Sequence, residues 1–515
     1  MTWRGRVLAV AFLVILIPAL APAQTPVEYR LSFKEPEHRL MDVDISFRDI
    51  PAGPLELRMS RSSPGRYALH EFAKNVFDVR ITDAAGAALP QARPNPHQWN
   101  VTGHAGTVRV TYRIFGDRVD GTYLAIDSTH AHINMPAALM WARGLEDRPV
   151  TIRFEAPAGA AWRVGTQLMP TADPYVYTAP NLQYMMDSPT EFSGFSLRTF
   201  TVTDAPGAPV FRLAVHHTGT DAELDALARD VERIVREEGR VFGEYPAFEG
   251  NTYTFIADYL PWASGDGMEH RNSTVMTSAS SIRANRPGLL DTAAHEFFHA
   301  WNIERIRPRS LEPFNLEDAN MSGELWLAEG FNNYYGPLTL LRAGLISAGD
   351  FIGDMGAVID EVRTSPGRSL RSAEEMSRLA PFVDAAASMD RTNADNTFLS
   401  YYTWGSAIGL GLDLTLRDRT GGKVTLDHFM RMLWERDEVA TDLSKKHKRL
   451  FSGEWARYGW GNFVTLTGDE LFNALRDAIE KLHELPGLTA TGRELFNRST
   501  LKIYDRPTLR AVRAV

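Results

Sequence analysis

The sequence predicts a multidomain chain that is β-rich first and α+β afterwards. Three observations carry that prediction. The length, 515 residues, exceeds what one ordinary core fills, so two or three domains are expected. Strand-like alternation of apolar and polar residues runs from about Val27 to Thr203. Near Thr218 the period changes to that of amphipathic helices. With 44% hydrophobic and 23% charged residues, the chain has the make-up of a folded globular protein, not a disordered one.

Residues 1–23 stand apart. Arg4 and Arg6 precede an apolar run from Val7 to Leu20, and Ala21-Pro22-Ala23 offers small residues for cleavage. A secretory signal peptide is expected, too short and wrongly flanked for a stable membrane span. No later segment is long and apolar enough to cross a bilayer. The formal net charge of −9 becomes more negative once those two arginines are removed. An acidic chain repels nucleic acid and anionic lipid, so neither is expected as a partner. The chain has no cysteine. It therefore forms no disulfide, carries no lipid on an N-terminal cysteine, and binds any metal through nitrogen and oxygen. The expectation is a soluble exported protein, periplasmic or secreted.

Residues 24–205 read as an N-terminal β-sandwich-like domain. Val108, Val110, Tyr112 and Ile114 alternate with Arg109, Thr111 and Arg113, as in a half-buried strand. The stretches Thr151–Glu155 and Phe211–Val215 repeat the pattern, and Pro51-Ala52-Gly53-Pro54 punctuates it. Residues 206–420 form the second expected domain. Thr220 or Asp221 caps a helix whose apolar face is Leu224, Leu227, Val231, Ile234 and Val235. A strand from Asn251 to Asp258 follows, then a Gly-rich turn and a helix starting near Pro287. Further helices are expected around Gly323–Leu341 and Tyr401–Leu416. A helical C-terminal region, 421–515, shows one apolar face at Leu426, Phe429, Met430, Leu433 and Trp434, and another at Leu471, Leu475, Ile479 and Leu482. No repeat stands out, and the tail from about Pro486 carries no pattern.

The chemistry concentrates in HEFFHAWNIERIRP, His295 to Pro308. On a helix, His295 and His299 lie one turn apart on one face. Two imidazoles so placed can occupy adjacent corners of a tetrahedral zinc site, with Glu296 beside the metal as general base. The competing reading is a core helix with satisfied histidines; Phe297 and Phe298 are core-like, and both readings can hold on opposite faces. A catalytic site needs a third protein ligand, and Glu329 in Glu324-Leu325-Trp326-Leu327-Ala328-Glu329-Gly330-Phe331 is the best candidate. An unpaired carboxylate in so apolar a setting is costly, and a nearby cation explains it. Asn333, one turn later, is placed to orient a histidine ligand. His130-Ala131-His132 on a strand puts two imidazoles on one face, but no acidic or third histidine partner is evident in sequence, so a structural role is expected there.

The motifs HEFFHAWN-x-x-R-I-R-P, LWLAEGF, GMEHRNST and SYYTWG together resemble the glycyl aminopeptidase family of gluzincin zinc metallopeptidases. The resemblance spans roughly Val27 to Leu482. It implies a thermolysin-like catalytic domain holding one zinc ion per chain through His295, His299 and Glu329. It also implies that Glu269, in the segment Gly267-Met268-Glu269-His270 that lines the substrate cleft, binds a free α-ammonium. Tyr402 matches the tyrosine that hydrogen-bonds the oxyanion, with Tyr401 as its rival. The implied reaction is hydrolysis of the N-terminal peptide bond, with small residues, glycine and alanine, favoured. A thermolysin-like endopeptidase and a non-catalytic zinc- or peptide-binding protein are the alternatives. The chain departs from the family in showing no PDZ pattern, in Glu304 where a lysine is usual, and in Asp266 where glycine is usual.

Overall fold

A computed structural model describes residues 24–383 and 391–434. The expected signal peptide, the apolar face from Leu471 to Leu482 and the tail lie outside the described residues. Residues 27–193 build three sheets. The largest has seven strands, in the order Met169–Pro170, Val176–Ala179, Val150–Glu155, Val27–Ser32, Leu40–Phe47, Val108–Phe115 and Val76–Thr82. Only Val27–Ser32 with Val150–Glu155 is parallel in it. The alternation at 108–115 holds: Val108, Val110, Tyr112 and Ile114 are all buried, while Arg109 faces solvent. Two four-stranded sheets share the same apolar core.

A five-stranded mixed sheet opens the second half, in the order Ser196–Thr201, Val210–His217, Thr252–Tyr259, Ser273–Ser278 and Asp266–His270. Ser196–Thr201 pairs with Val210–His217 over its whole length, so the second domain begins before the expected boundary at 205/206. The helix Asp221–Phe242 follows. Thr220 caps it: its hydroxyl accepts the Glu223 N–H, and the Glu223 carboxylate accepts the Thr220 N–H. Leu224, Leu227, Val231, Ile234 and Val235 are all buried, each contributing about 1.5–3 kcal/mol of gross apolar transfer energy. The helix ends at Gly243, whose φ of 86° is the left-handed stop that glycine adopts without strain.

The remaining helices include Arg286–Phe298, Leu325–Ala328, Gly330–Arg342, Tyr401–Thr420 and Leu426–Trp434. The last lies beyond the expected boundary at 420/421, yet it belongs to the second core. Its Arg431 donates to the carbonyls of Arg240 and Val241, and the Trp434 indole donates to Glu244. Gly330–Arg342 and Tyr401–Thr420 cross at Gly330 and Gly405. A Cβ on Gly330 would overlap the Gly405 backbone, and one on Gly405 the Trp326 carbonyl. Two glycines thus bring the backbones into contact, which no larger residue permits.

The halves interlock. Phe314 and Leu316, from a loop of the second half, are buried in the first core, and the Leu316 carbonyl accepts the Arg61 N–H at 2.8 Å. No helix among the described residues is long and apolar enough to cross a membrane.

Candidate active site

His295 lies in the last turn of Arg286–Phe298, a helix with Pro287 in its first turn. His299 sits just past the helix end but keeps right-handed helical geometry, φ −60° and ψ −21°, so the one-turn spacing survives. The two Nε2 atoms are 3.1 Å apart. Glu329 Oε2 lies 3.5 Å from the first and 3.2 Å from the second. The helix expected over 323–341 is broken at Glu329, which joins Leu325–Ala328 to Gly330–Arg342 with φ −96° and ψ −46°.

These three groups fit a zinc ion. A tetrahedral site with bonds of about 2.0–2.1 Å has ligand-to-ligand edges of about 3.3 Å, and the observed edges bracket that value. The ring tautomer also fits. His299 Nδ1–H donates to the Asn302 carbonyl at 2.9 Å, an atom that can only accept, so the Nε2 lone pair faces the site. Glu329 is held by Tyr67, whose hydroxyl donates to Oε1 at 2.7 Å from the N-terminal domain. Burial alone would raise the Glu329 pKa, but the rings of His299 and His295 hold it well below the usual carboxylate range. Burial works against charge on His299, yet Glu329 and Glu269 raise its pKa to about 10 in the metal-free chain.

Asn302 ties the two motifs together. Its amide donates to the carbonyls of Leu327 and Ala328, at 3.0 and 3.1 Å, and to Asn332 Oδ1 at 2.8 Å. The Asn332 amide in turn donates to the His295 carbonyl at 3.1 Å. The orienting role expected of Asn333 therefore passes to Asn332. The Asn333 N–H bonds the Glu329 carbonyl at 3.0 Å, as one turn predicts, but its side chain makes no hydrogen bond among the described residues.

Glu296 is 5% exposed, and its Oε2 has no hydrogen-bond partner among the described residues. Burial first, then the charges of Glu269 and Glu329, push its pKa up to about 7 against the pull of His295 and His299. Such a carboxylate is poised to take and release a proton near neutrality. Gly267 packs directly on it, so that a Cβ there would overlap the Glu296 carboxylate. Glu269, Glu296 and His299 offer ligand-type atoms within 4.8 Å of one another.

Asp266–His270 is the edge strand of its sheet, and strand alternation divides its residues. Gly267 and Glu269 face the histidine helix. Met268 and His270, expected to bind substrate, are wholly buried on the other side. Met268 packs beneath Gly65 and Gly121, and His270 Nδ1 lies 2.8 Å from Asp187 Oδ1. Both side chains dock the N-terminal domain instead. The unusual Asp266 joins them, pairing with Arg66 and accepting the Gly121 N–H at 2.8 Å. Glu304 is also buried, 3.5 Å from Arg307, with its pKa raised to about 7 chiefly by burial. Tyr402 is half-buried, its ring stacked at 6.1 Å on that of His295, whereas Tyr401 is 1% exposed beneath it.

Two family models match the chain: the peptidase M61 N-terminal domain over residues 28–194, and M61 glycyl aminopeptidase over residues 288–408. Together they span more than half of it. The chain belongs to the M61 glycyl aminopeptidase family. As a member of the M61 family it is a metallopeptidase of the aminopeptidase type. The second match contains His295, Glu296, His299, Glu329 and Tyr402, and Glu269 lies just before it. A solved structure described as an aminopeptidase N family protein from Idiomarina loihiensis superposes with a TM-score of 0.72 at 23% identity, covering 90% of this chain and 74% of the other. That likeness shows a shared fold. An M1 zinc metallopeptidase from Deinococcus radiodurans aligns at 16% identity with a TM-score of 0.48, over 88% of this chain and 93% of the other. No curated protein matches the sequence.

Proposed function

We propose that this zinc aminopeptidase of the M61 family, periplasmic or secreted, removes single residues, glycine and alanine preferentially, from peptides with a free N-terminus. The observation that carries the reading is the convergence of His295, His299 and Glu329, with Glu296 and Glu269 beside them. A zinc ion held by those three side chains supplies Lewis acidity, bringing the pKa of water in the cleft toward about 7.

Glu296 takes a proton from the attacking water and passes it to the departing amine. Glu269 receives the substrate α-ammonium through charge-assisted hydrogen bonds, which places the first peptide bond beside Glu296. The edge strand carrying Gly267 offers unpaired backbone to an extended peptide. Tyr402 donates to the developing oxyanion. Its stacking on His295 favours it over the buried Tyr401. Tyr402→Phe is expected to lower kcat about 10²-fold, the usual loss for one oxyanion donor, while Tyr401→Phe changes it little. Steady-state kinetics of the two variants decide between them. The basic start and apolar run of residues 4–20 support export, and the family's description as glycyl aminopeptidase supports the small-residue preference.

The test compares alanyl and N-acetyl-alanyl p-nitroanilide on the full chain. Only the free amine is expected to react, and Glu269→Gln should reduce its kcat/KM about 10²-fold, the worth of a charged hydrogen bond. Equal cleavage of the acetylated substrate would identify an endopeptidase and overturn the proposal.

A further inference from the structure

A second constellation lies where the two halves meet, away from the hydrolytic cleft. His130 and Glu191 sit on neighbouring strands of the N-terminal domain, His130–Ile133 and Thr190–Ser193. His216 and Asp258 are register partners in the five-stranded sheet. All but His216 are wholly buried. The partners that the His130-Ala131-His132 motif lacks in sequence are thus supplied by distant strands. We propose that His130, Glu191, His216 and Asp258 form a second metal site, taking a divalent transition-metal ion of the zinc class, which fastens the N-terminal domain to the catalytic one.

The geometry is that of an ion cage. His130 Nδ1 and His216 Nδ1 are 3.0 Å apart. His130 Nδ1 lies 3.6 Å from Glu191 Oε1 and 3.7 Å from Asp258 Oδ1. For His216 Nδ1 the same two separations are 3.7 and 3.6 Å. The four residues offer ligand atoms that all fall within 4.8 Å of one another. Nitrogen-to-oxygen separations of 3.6–3.7 Å are too long for hydrogen bonds. They are close to the edge of about 3.3 Å in a tetrahedron of zinc ligands, as are the edges among His295, His299 and Glu329.

Hydrogen bonding alone leaves the cluster unsatisfied. Neither oxygen of Glu191, nor Oδ1 of Asp258, has a hydrogen-bond partner among the described residues. Two Nδ1 atoms facing each other at 3.0 Å can share at most one proton. Two wholly buried carboxylates aimed at one point without hydrogen-bond partners are costly unless a cation stands there.

The surroundings complete the cage. His130 Nε2 lies 3.5 Å from Asp127 Oδ2, which leaves Nδ1 as the ring nitrogen nearest His216, Glu191 and Asp258. His132 backs the cluster, its Nδ1 2.8 Å from Asp258 Oδ2 and its Nε2 3.0 Å from the Asp120 carbonyl. The donor set of two nitrogens and two oxygens, with no sulfur, suits zinc and its neighbours. Four protein ligands close the site, the mark of a structural ion rather than a catalytic one.

The inference is independent of the hydrolytic reading. The full chain, equilibrated with micromolar zinc and freed of excess, is expected to hold two metal equivalents by plasma mass spectrometry. His295→Ala and Asp258→Asn should each hold one, and the double variant none. Crystals of the parent chain measured at the zinc absorption edge should show an anomalous peak among the four ligand atoms. A parent chain holding one equivalent, all of it lost in His295→Ala, overturns the proposal. So does an edge map without a peak there, whichever variants fold.

Discussion

Glu296→Gln is expected to retain the metal content of the parent chain and to lose about 10³-fold in kcat. The amide has the shape of the carboxylate, so the contact with Gly267 is preserved. What it lacks is the ability to take a proton from water, and positioned acid–base groups commonly contribute 10²–10⁴-fold. The buried Oε2 has no hydrogen-bond partner among the described residues, so it is free to take the proton that the amide cannot. Metal analysis beside steady-state kinetics checks it. Normal turnover with full metal content would remove Glu296 from the reaction.

The second large effect concerns Glu329. Glu329→Gln is expected to cost one metal equivalent at micromolar zinc and to reduce activity by more than about 10³-fold. Loss of a group that merely orients a ligand costs 10–100-fold in affinity, and loss of a ligand's charge costs more. Two features make Glu329 the anion of the site. The rings of His295 and His299 keep it ionised against the effect of burial, and Tyr67 occupies its other oxygen. Metal titration followed by competition with a chelator measures the change. A variant that binds zinc as tightly as the parent would show that a different third ligand is in use.

The parts of this site that could be read in the sequence were those set by local periodicity. A one-turn spacing places His295 and His299 on one side of any helix, and an acid amid Leu325, Trp326, Leu327 and Phe331 advertises a buried charge. Asn333 shows where such reasoning stops. Counting one turn from Glu329 lands on Asn333, but which side chain of that turn meets the histidine helix is set by how the helices pack, and it is Asn332 that reaches the His295 carbonyl. Alternation along Asp266–His270 separates two faces, but nothing local tells which is covered by the N-terminal domain; Met268 and His270 fell on the covered one. Tyr67 left no trace at all, since its partner is 262 residues away. Asn302 was visible within the motif, but its role as a tie between two helices exists only after folding. The boundary near 205 erred for a similar reason. A strand such as Ser196–Thr201 reads alike in either sheet, and only its pairing assigns it.

The reach of Tyr67 to Glu329 bears on how this protein can be inherited and engineered. Its β-rich half is no detachable appendage, because a hydroxyl from that half positions a carboxylate of the other, while Phe314 and Leu316 make the return exchange. Each half lends side chains to the other, so recombination that swaps one alone is expected to disturb a core and the setting of Glu329. Substitutions along this seam are therefore expected to need compensation from the opposite half.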